Sequence, residues 1–231
     1  ANTTGANNTA VGYQAGYNTT TGVQNTFLGS NCGDGTDDGG YNTAIGHEAL
    51  GANCGNSNVA VGYVSLQACT GEDNTAIGPA SGLNLSSGDM NTFVGHDAGR
   101  NMSTGSKNVI LGGYDGNEGG LDIRTSDNNI VLSDGDGNPR LYLGPDGDLY
   151  IGCTSVPSAS VSGFSVQDNA GKCYVHQATN TTGNNIMTAY INPNGIVGGV
   201  YVNGSSTSYN TSSDHRLKEN VVDLTGATAR L

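Results

Sequence analysis

Residues 71–78 read Gly-Glu-Asp-Asn-Thr-Ala-Ile-Gly, and six further segments of the first 113 residues follow the same pattern, Gly-x-x-Asn-(Thr/Val)-x-aliphatic-Gly. The asparagines of these seven copies recur every 16 or 17 residues, at Asn8, Asn25, Asn42, Asn58, Asn74, Asn91 and Asn108. An eighth, degenerate copy follows at Asn129 after a gap of 21 residues. A unit this short cannot bury an apolar face alone, so it must stack on its neighbours. The sequence therefore predicts an all-β solenoid.

Each copy also places an aliphatic residue and a glycine at fixed distances after its Asn, and the first six copies add a small residue seven positions after it. The glycine and asparagine positions favour turns, because positive φ costs little there, and we expect two short strands per repeat. We expect an internal ladder of the aliphatic residues Val11, Leu28, Ile45, Val61, Ile77, Val94 and Leu111. A second backbone, from the opposite wall of the coil or from another subunit, should approach the small residues Ala15, Cys32, Ala49, Ser65, Ser81 and Ala98.

The repeat core resembles a known family of bacterial surface proteins. Residues 8–12 read Asn-Thr-Ala-Val-Gly and residues 74–78 read Asn-Thr-Ala-Ile-Gly. This core is similar to that of the YadA-like head of trimeric autotransporter adhesins, and the resemblance covers roughly residues 5–113. It implies a β-roll that trimerises along its length, although the repeat is longer here than in those heads. We assign residues 1–113 to this roll.

Two further β regions follow the repeats. Residues 114–152 predict an acidic β stem, interleaved between subunits because short hairpins are unstable alone, with strands at 130–132, 141–143 and 149–151. Residues 153–212 predict a small β module with strands at 163–166, 173–177, 186–191 and 196–202. A hairpin is expected at Asn192-Pro193-Asn194-Gly195. From its position along the chain we assign this module as a receptor-binding tip.

The C-terminal stretch carries a second resemblance. It reads Ser212-Ser213-Asp214-His215-Arg216-Leu217-Lys218-Glu219-Asn220-Val221. This is similar to the start of the intramolecular chaperone domain of phage tail spikes, endosialidases and tail fibres. The resemblance implies that the chaperone drives trimer assembly and then cuts itself off before Ser213. By matching residues, Ser213 would be the nucleophile and Lys218 its activator, since a partly desolvated Lys can serve as the base for a hydroxyl.

The chain is not predicted to be an enzyme apart from this autoproteolysis at Ser212-Ser213. Residues 213–231 would be only the start of the chaperone domain, and cleavage would require its body. Ala1 in place of Met likewise predicts that the sequence is a piece of a longer chain.

Composition and charge exclude several other classes of protein. Residues 1–212 carry 5 Lys and Arg against 17 Asp and Glu, so nucleic acid and anionic membranes are poor partners. No apolar run approaches the roughly 20 residues that cross a bilayer, so membrane insertion is not expected. With 38 Gly and only 12 % charged residues, the chain offers no amphipathic helix before about residue 216. Collagen is excluded because Gly does not recur at every third position.

Neither a metal nor another cofactor is predicted. Residues 134–138 begin like a calcium loop, but Pro139 and Pro145 replace the Gly and Glu that such a loop needs, so an acidic turn is favoured. The same interpretation applies to Asp34, Asp37 and Asp38.

Histidines and cysteines within the repeats leave alternatives open. His47 and His96 share a repeat position with tyrosines, which favours an outward turn over a three-His metal site on a trimer axis. A sugar-binding stripe of these rings is a further alternative. Cys54 and Cys69 fall in successive coils, where buried thiols are favoured over a disulfide.

These features together favour the structural and host-attachment part of a homotrimeric phage tail fibre or spike. Its partners would be other fibre or virion proteins and a host surface glycan or protein receptor, and three copies of a weak site would provide avidity. The alternative is a bacterial trimeric surface adhesin or extracellular appendage subunit. An ice-binding solenoid is less favoured, because Val59 and Val109 interrupt the rank of Thr9, Thr26, Thr43, Thr75 and Thr92. Glycan hydrolysis ranks low, since it needs paired carboxylates at a cleft.

Overall fold

The computed structural model describes residues 4–158, 160–168, 173–179, 184–193 and 195–211. Over these residues the chain is all β and contains no helix, which confirms the predicted class. The chain divides into two units, residues 1–178 and 179–231, and each is described by itself.

A β-solenoid of about seven coils forms the first part of unit 1. Each repeat contributes one strand of three residues, and the strands pair in parallel and in register from β1 to β7. They are β1 (Thr9–Val11), β2 (Thr26–Leu28), β3 (Thr43–Ile45), β4 (Val59–Val61), β5 (Thr75–Ile77), β6 (Thr92–Val94) and β7 (Val109–Leu111). The expectation of two strands per repeat is wrong, because turns occupy the remainder of each coil.

These turns are built from left-handed backbone, but not at the asparagine itself. In the coil of Asn74, positive φ occurs one residue earlier at Asp73 (57°), and later at Ala80 (54°) and Gly82 (63°). Ala80 donates its backbone N–H to Tyr63 of the preceding coil at 2.8 Å, and Gly82 donates to Ala98 of the next coil at 2.9 Å. The turns therefore satisfy their peptide groups between coils, as the strands do.

The repeat asparagines form a buried ladder along the solenoid. The side-chain oxygen of Asn74 accepts the backbone N–H of Asn91 in the next coil at 3.0 Å. Its side-chain amide donates to the carbonyl of Gly88 at 2.9 Å. The bond from a backbone N–H to the preceding Asn oxygen repeats without interruption from Asn8 to Asn129. We call these eight residues the ladder asparagines: Asn8, Asn25, Asn42, Asn58, Asn74, Asn91, Asn108 and Asn129. Asparagine suits this position because its one short side chain both accepts and donates.

The core of the solenoid is thin and lies between two walls, the strands and the turns that face them. The sizes of the inward residues on the two walls are matched. Where the central strand residue is Phe93, the adjoining turns carry Gly82 and Gly99, and a Cβ on either glycine would lie within 3.1 Å of the Phe93 ring. Where the strand residue is Ala60, the turn carries Leu66, which is fully buried. In these coils a large side chain on one wall thus faces a small residue on the other, which keeps the packing close.

The solenoid continues into an antiparallel region. The 21-residue gap holds the hairpin β8 (Asn117–Glu118) and β9 (Leu121–Asp122). Then β10 (Ile130–Ser133) pairs in parallel with β7 as an eighth level. The same sheet continues antiparallel through β11 (Pro139–Leu143), β12 (Leu149–Ile151), β13 (Gly163–Asp168) and β14 (Cys173–Ala178). Each predicted strand after residue 129 of this unit is present.

Unit 2 is a three-stranded antiparallel sheet. Its strands are β15 (Asn184–Asn192), β16 (Gly195–Asn203) and β17 (Ser206–Thr211). Asn192 pairs with Gly195, which confirms the hairpin predicted between the first two strands.

Candidate functional site

The residues predicted to carry self-cleavage, Ser213 and Lys218, lie outside the described residues, whose last segment ends at 211. Their roles remain predictions from the sequence.

The aliphatic residues of the repeat lie on the outside of the single chain, so the prediction of an internal ladder is wrong. Ile77 is 43 % exposed and Val11 is 57 % exposed, whereas the preceding strand residue, Ala76, is fully buried. Alternation along a strand explains the difference, because the ladder asparagine and the second residue after it face inward and the first and third face outward. Val11, Leu28, Ile45, Val61, Ile77, Val94 and Leu111 form one continuous stripe, named here the outer column.

A second stripe runs beside the outer column on the same face. Register places Thr9, Thr26 and Thr43 next to one another, and the rank continues through Val59 to Thr75, Thr92 and Val109. The face is therefore regular, with one threonine or valine and one aliphatic side chain per coil. Seven coils at the usual strand spacing of about 4.8 Å give a stripe roughly 29 Å long.

The small-residue column has the role expected of it. Ser65 donates its hydroxyl to the strand carbonyl of Ala76 in the next coil at 3.2 Å, and Ser81 makes the equivalent bond to Phe93 at 3.2 Å. Both serines are fully buried. The sequence left open whether the opposite wall of the same coil or another subunit approaches these small residues. The backbone that contacts Ser65 and Ser81 belongs to the strand wall of the same chain.

The histidines lie on outward turns, as predicted. The side chain of His96 is 73 % exposed and contacts Asp97 at 3.2 Å, and His47 stacks on Tyr63 with ring centroids 5.7 Å apart. Within the described segments, no cluster of three or more His, Cys, Asp or Glu residues could hold a metal ion.

The acidic stretch at residues 134–138 folds as a turn closed by its own side chains. Asp134 Oδ1 accepts the backbone N–H of Asp136 at 3.1 Å and that of Asn138 at 2.9 Å. Arg140 donates to Asp134 Oδ2 through Nε at 3.0 Å and also through Nη2. These bonds to the Arg140 guanidinium hold the pKa of Asp134 below its usual range. The carboxylate is therefore engaged within the turn, in agreement with the prediction of an acidic turn.

All five cysteines are free thiols. Cys32, Cys54 and Cys69 are buried, which confirms the preference for buried thiols over a Cys54–Cys69 disulfide. Burial raises the pKa of Cys32 to about 11 and that of Cys69 to about 12. A thiol with so high a pKa is a poor nucleophile at neutral pH, so these cysteines are packing residues.

The described part of unit 2 exposes large apolar side chains. Tyr209 is 80 % exposed, Ile191 70 % and Tyr190 61 %. They lie on β15 and β17 of the three-stranded sheet. Exposed aromatic and aliphatic side chains of this kind are typical of contact surfaces, although none of them specifies a ligand.

Comparison of the chain with family models, with curated proteins and with solved structures gives no match. The described residues include no helix that is long and apolar enough to span a membrane.

Proposed function

We propose that the chain is the structural and host-attachment part of a homotrimeric phage tail fibre or spike, matured by cleavage before Ser213. The observation that carries the proposal is the outer column, a continuous apolar stripe along the solenoid. Its six most accessible members are 37–57 % exposed in the single chain. Covering such a stripe stabilises by about 25 cal/mol per Å² of buried apolar area, and identical copies with the same stripe are suited to cover it around a common axis. The two sequence resemblances favour three copies.

Attachment follows from the form of such an assembly. The ladder asparagines and the parallel strands join each coil to its neighbours, which favours a stiff rod. A rod with three equivalent sites converts weak single contacts into strong binding to a surface. The exposed side chains of β15 and β17 support a contact role for unit 2.

The first test is the mass of the soluble particle by light scattering after gel filtration. We expect a particle of three chains, each of 23.4 kDa. Ile77→Asp should dissociate it, because a carboxylate would enter the covered stripe. Met90→Asp is the control, since Met90 is 53 % exposed and lies outside the outer column. A wild-type monomer or dimer would contradict the trimer, as would an Ile77→Asp particle of unchanged mass.

Cleavage is tested in a chain that carries the whole chaperone domain. Intact mass spectrometry should find a product that ends at Ser212, and Ser213→Ala and Lys218→Ala should each leave the chain uncut. An uncut wild-type chain would contradict the proposal of self-cleavage.

Attachment is tested by counting labelled particles bound to whole bacteria from a panel of strains. If the particles bind to none of the strains, the proposed attachment function is contradicted.

An ice-binding solenoid is the second candidate, because register aligns the Thr rank on one outward face. Trimerisation through the outer column would cover this face, so the two candidates differ in assembly. A monomer that shows thermal hysteresis would favour ice binding, and a trimer without hysteresis would favour the fibre.

A further inference from the structure

A continuous groove runs along the turns of the solenoid, and no residue of the outer column lines it. Three adjoining cavities of about 310, 420 and 470 Å³ form it. The first and second share Glu48 and Gln67, and the second and third share His96, Asp97 and Arg100. We call this depression the turn groove.

The fold makes the turn groove periodic. One wall consists of the fifth and sixth residues after each ladder asparagine, and the other wall consists of the ninth and tenth. At the sixth position the backbone is left-handed, as at Glu48 (φ 55°) and Asp97 (φ 58°). The groove spans seven levels, from Asn31 in the coil of Asn25 to Asp136 in the level of Asn129. At about 4.8 Å per level it is roughly 29 Å long, which suits an extended polymer better than a compact small molecule.

One wall presents flat, exposed rings. The rings of His47 and Tyr63, in adjacent coils, stack with an interplanar angle of 25°. Tyr63 is 60 % exposed and lines the groove, and Pro79 and His96 occupy the same position in the next two coils. Rings of this kind bury large apolar area at low entropic cost and leave a polar edge in water. They are suited to pack against the C–H face of a sugar ring.

Hydrogen-bonding groups lie along the groove in fixed pairs. Gln67 donates to Glu48 Oε2 at 2.5 Å, and Arg100 contacts Asp97 Oδ1 at 3.4 Å. Each pair holds a carboxylate in place and leaves further oxygen lone pairs and N–H groups for a ligand. Prearranged groups of this kind reduce the entropic cost of binding. They match a ligand with many hydroxyl groups, each of which both donates and accepts.

The charge of the groove restricts the ligand further. Six carboxylates line it, and Arg100 is the cation among its described lining residues. An acidic polysaccharide would therefore be repelled. The carboxylates are Asp34, Glu48, Asp97, Asp115, Glu118 and Asp136.

We propose that the turn groove binds an extended, uncharged glycan, whose sugar rings stack on the Tyr63 wall while its hydroxyls bond the Glu48–Gln67 and Asp97–Arg100 pairs. This site deepens the proposed attachment function and rests on it. It also places a repeated contact along the rod, in addition to unit 2. In an assembly of several chains the same groove would occur once per chain, so that a single long polysaccharide could engage more than one copy.

The test is affinity electrophoresis of the full chain in native gels. The neutral probes are dextran, yeast mannan, galactomannan and β-glucan, and the acidic probes are alginate and hyaluronan. We expect retardation by at least one neutral polymer and by neither acidic polymer. Tyr63→Ala should weaken the apparent affinity at least tenfold. Tyr41→Ala is the matched control, because Tyr41 is 59 % exposed and lies outside the groove, and it should leave the affinity unchanged.

Four outcomes would overturn the site: no retardation by any neutral polymer, retardation by acidic polymers only, an unchanged affinity of Tyr63→Ala, or an equal loss in Tyr41→Ala. Circular dichroism of both variants shows that each is folded. Light scattering and cell binding on the same samples separate the two proposals. A trimer that binds cells but no neutral polymer refutes the groove alone, and a monomer that binds a neutral polymer refutes the fibre alone.

Discussion

Replacement of Asn74 by Ala removes one complete step of the asparagine ladder. The backbone N–H of Asn91 loses its acceptor, which lies at 3.0 Å, and the carbonyl of Gly88 loses its donor, which lies at 2.9 Å. Asn74 and Asn91 are fully buried, so water cannot replace either bond. An unsatisfied buried polar group costs about 1–3 kcal/mol, and the two together predict a loss of about 2–6 kcal/mol in the free energy of unfolding.

The assay is equilibrium denaturation in guanidinium chloride, followed by circular dichroism because the chain has no Trp. Asn84→Ala is the matched control, since Asn84 is exposed and its side chain makes one bond of 3.4 Å to Asn101. We expect this control to change stability by less than about 0.5 kcal/mol. Hydrogen exchange should also quicken locally, at the amide of Asn91.

Asn74→Asp adds a test that depends on pH. The ionised carboxylate still accepts from Asn91 but opposes the carbonyl of Gly88, whereas the protonated acid donates to that carbonyl. The pKa of this Asp should therefore be higher in the folded than in the unfolded chain. The Asn74→Asp variant then gains stability as pH falls through the pKa of the folded state. The ladder argument is refuted if Asn74→Ala unfolds with the same free energy as Asn84→Ala, or if lower pH brings Asn74→Asp no gain relative to the wild type.

Three further predictions concern close contacts and ionisable groups. Gly62→Ala should lower the free energy of unfolding by about 2–6 kcal/mol, because Gly62 has a φ of +140° and an added Cβ would lie 2.4 Å from the carbonyl oxygen of Gly78. Gly135→Ala is the control, since an added Cβ there meets nothing within 4 Å, and equal denaturation midpoints of the two variants would contradict the contact. At pH 8 iodoacetamide should label Cys173 in the folded chain, and mass spectrometry should find label on the buried thiols only after unfolding: Cys32, Cys54 and Cys69. Burial, reinforced by nearby carboxylates, raises the pKa of Glu118. Ionisation of Glu118 therefore destabilises the fold, and the chain gains stability as pH falls through the raised pKa. Glu118→Gln should increase the melting temperature at pH 7, and the increase should become smaller towards pH 4.

The sequence predicted the solenoid because its period is visible without any structural knowledge. Asn, aliphatic and Gly recur in register, and a 16-residue unit must stack on its neighbours. The same reasoning located the later strands and the hairpin at Asn192, where turn residues interrupt short alternating segments.

The sequence did not reveal the direction of the side chains. Ile77 is more hydrophobic than Ala76, which led to the expectation that Ile77 lies inside, yet Ala76 is the buried residue. The period of two within Asn74-Thr75-Ala76-Ile77 was the available signal, since the polar ladder residue and Ala76 must share one face. Nor could the positive φ of Asp73 be predicted, because it depends on the bonds between coils rather than on the residue itself.

The narrow core explains why the chain presents so much apolar surface. Large inward side chains come from the strand, as with Phe93, or from the turns, as with Leu66 and Met102. Leu66 fills this place at a conformational cost, because its φ of 50° is unusual for a residue other than Gly. Since the interior is already filled, the aliphatic side chain at the third position after each ladder asparagine has no place inside the roll. A sequence that nevertheless repeats an aliphatic residue there in seven successive coils is suited to cover it with another surface. The narrow, filled interior therefore keeps the solenoid thin and leaves the aliphatic residues of the repeat outside, where they favour assembly.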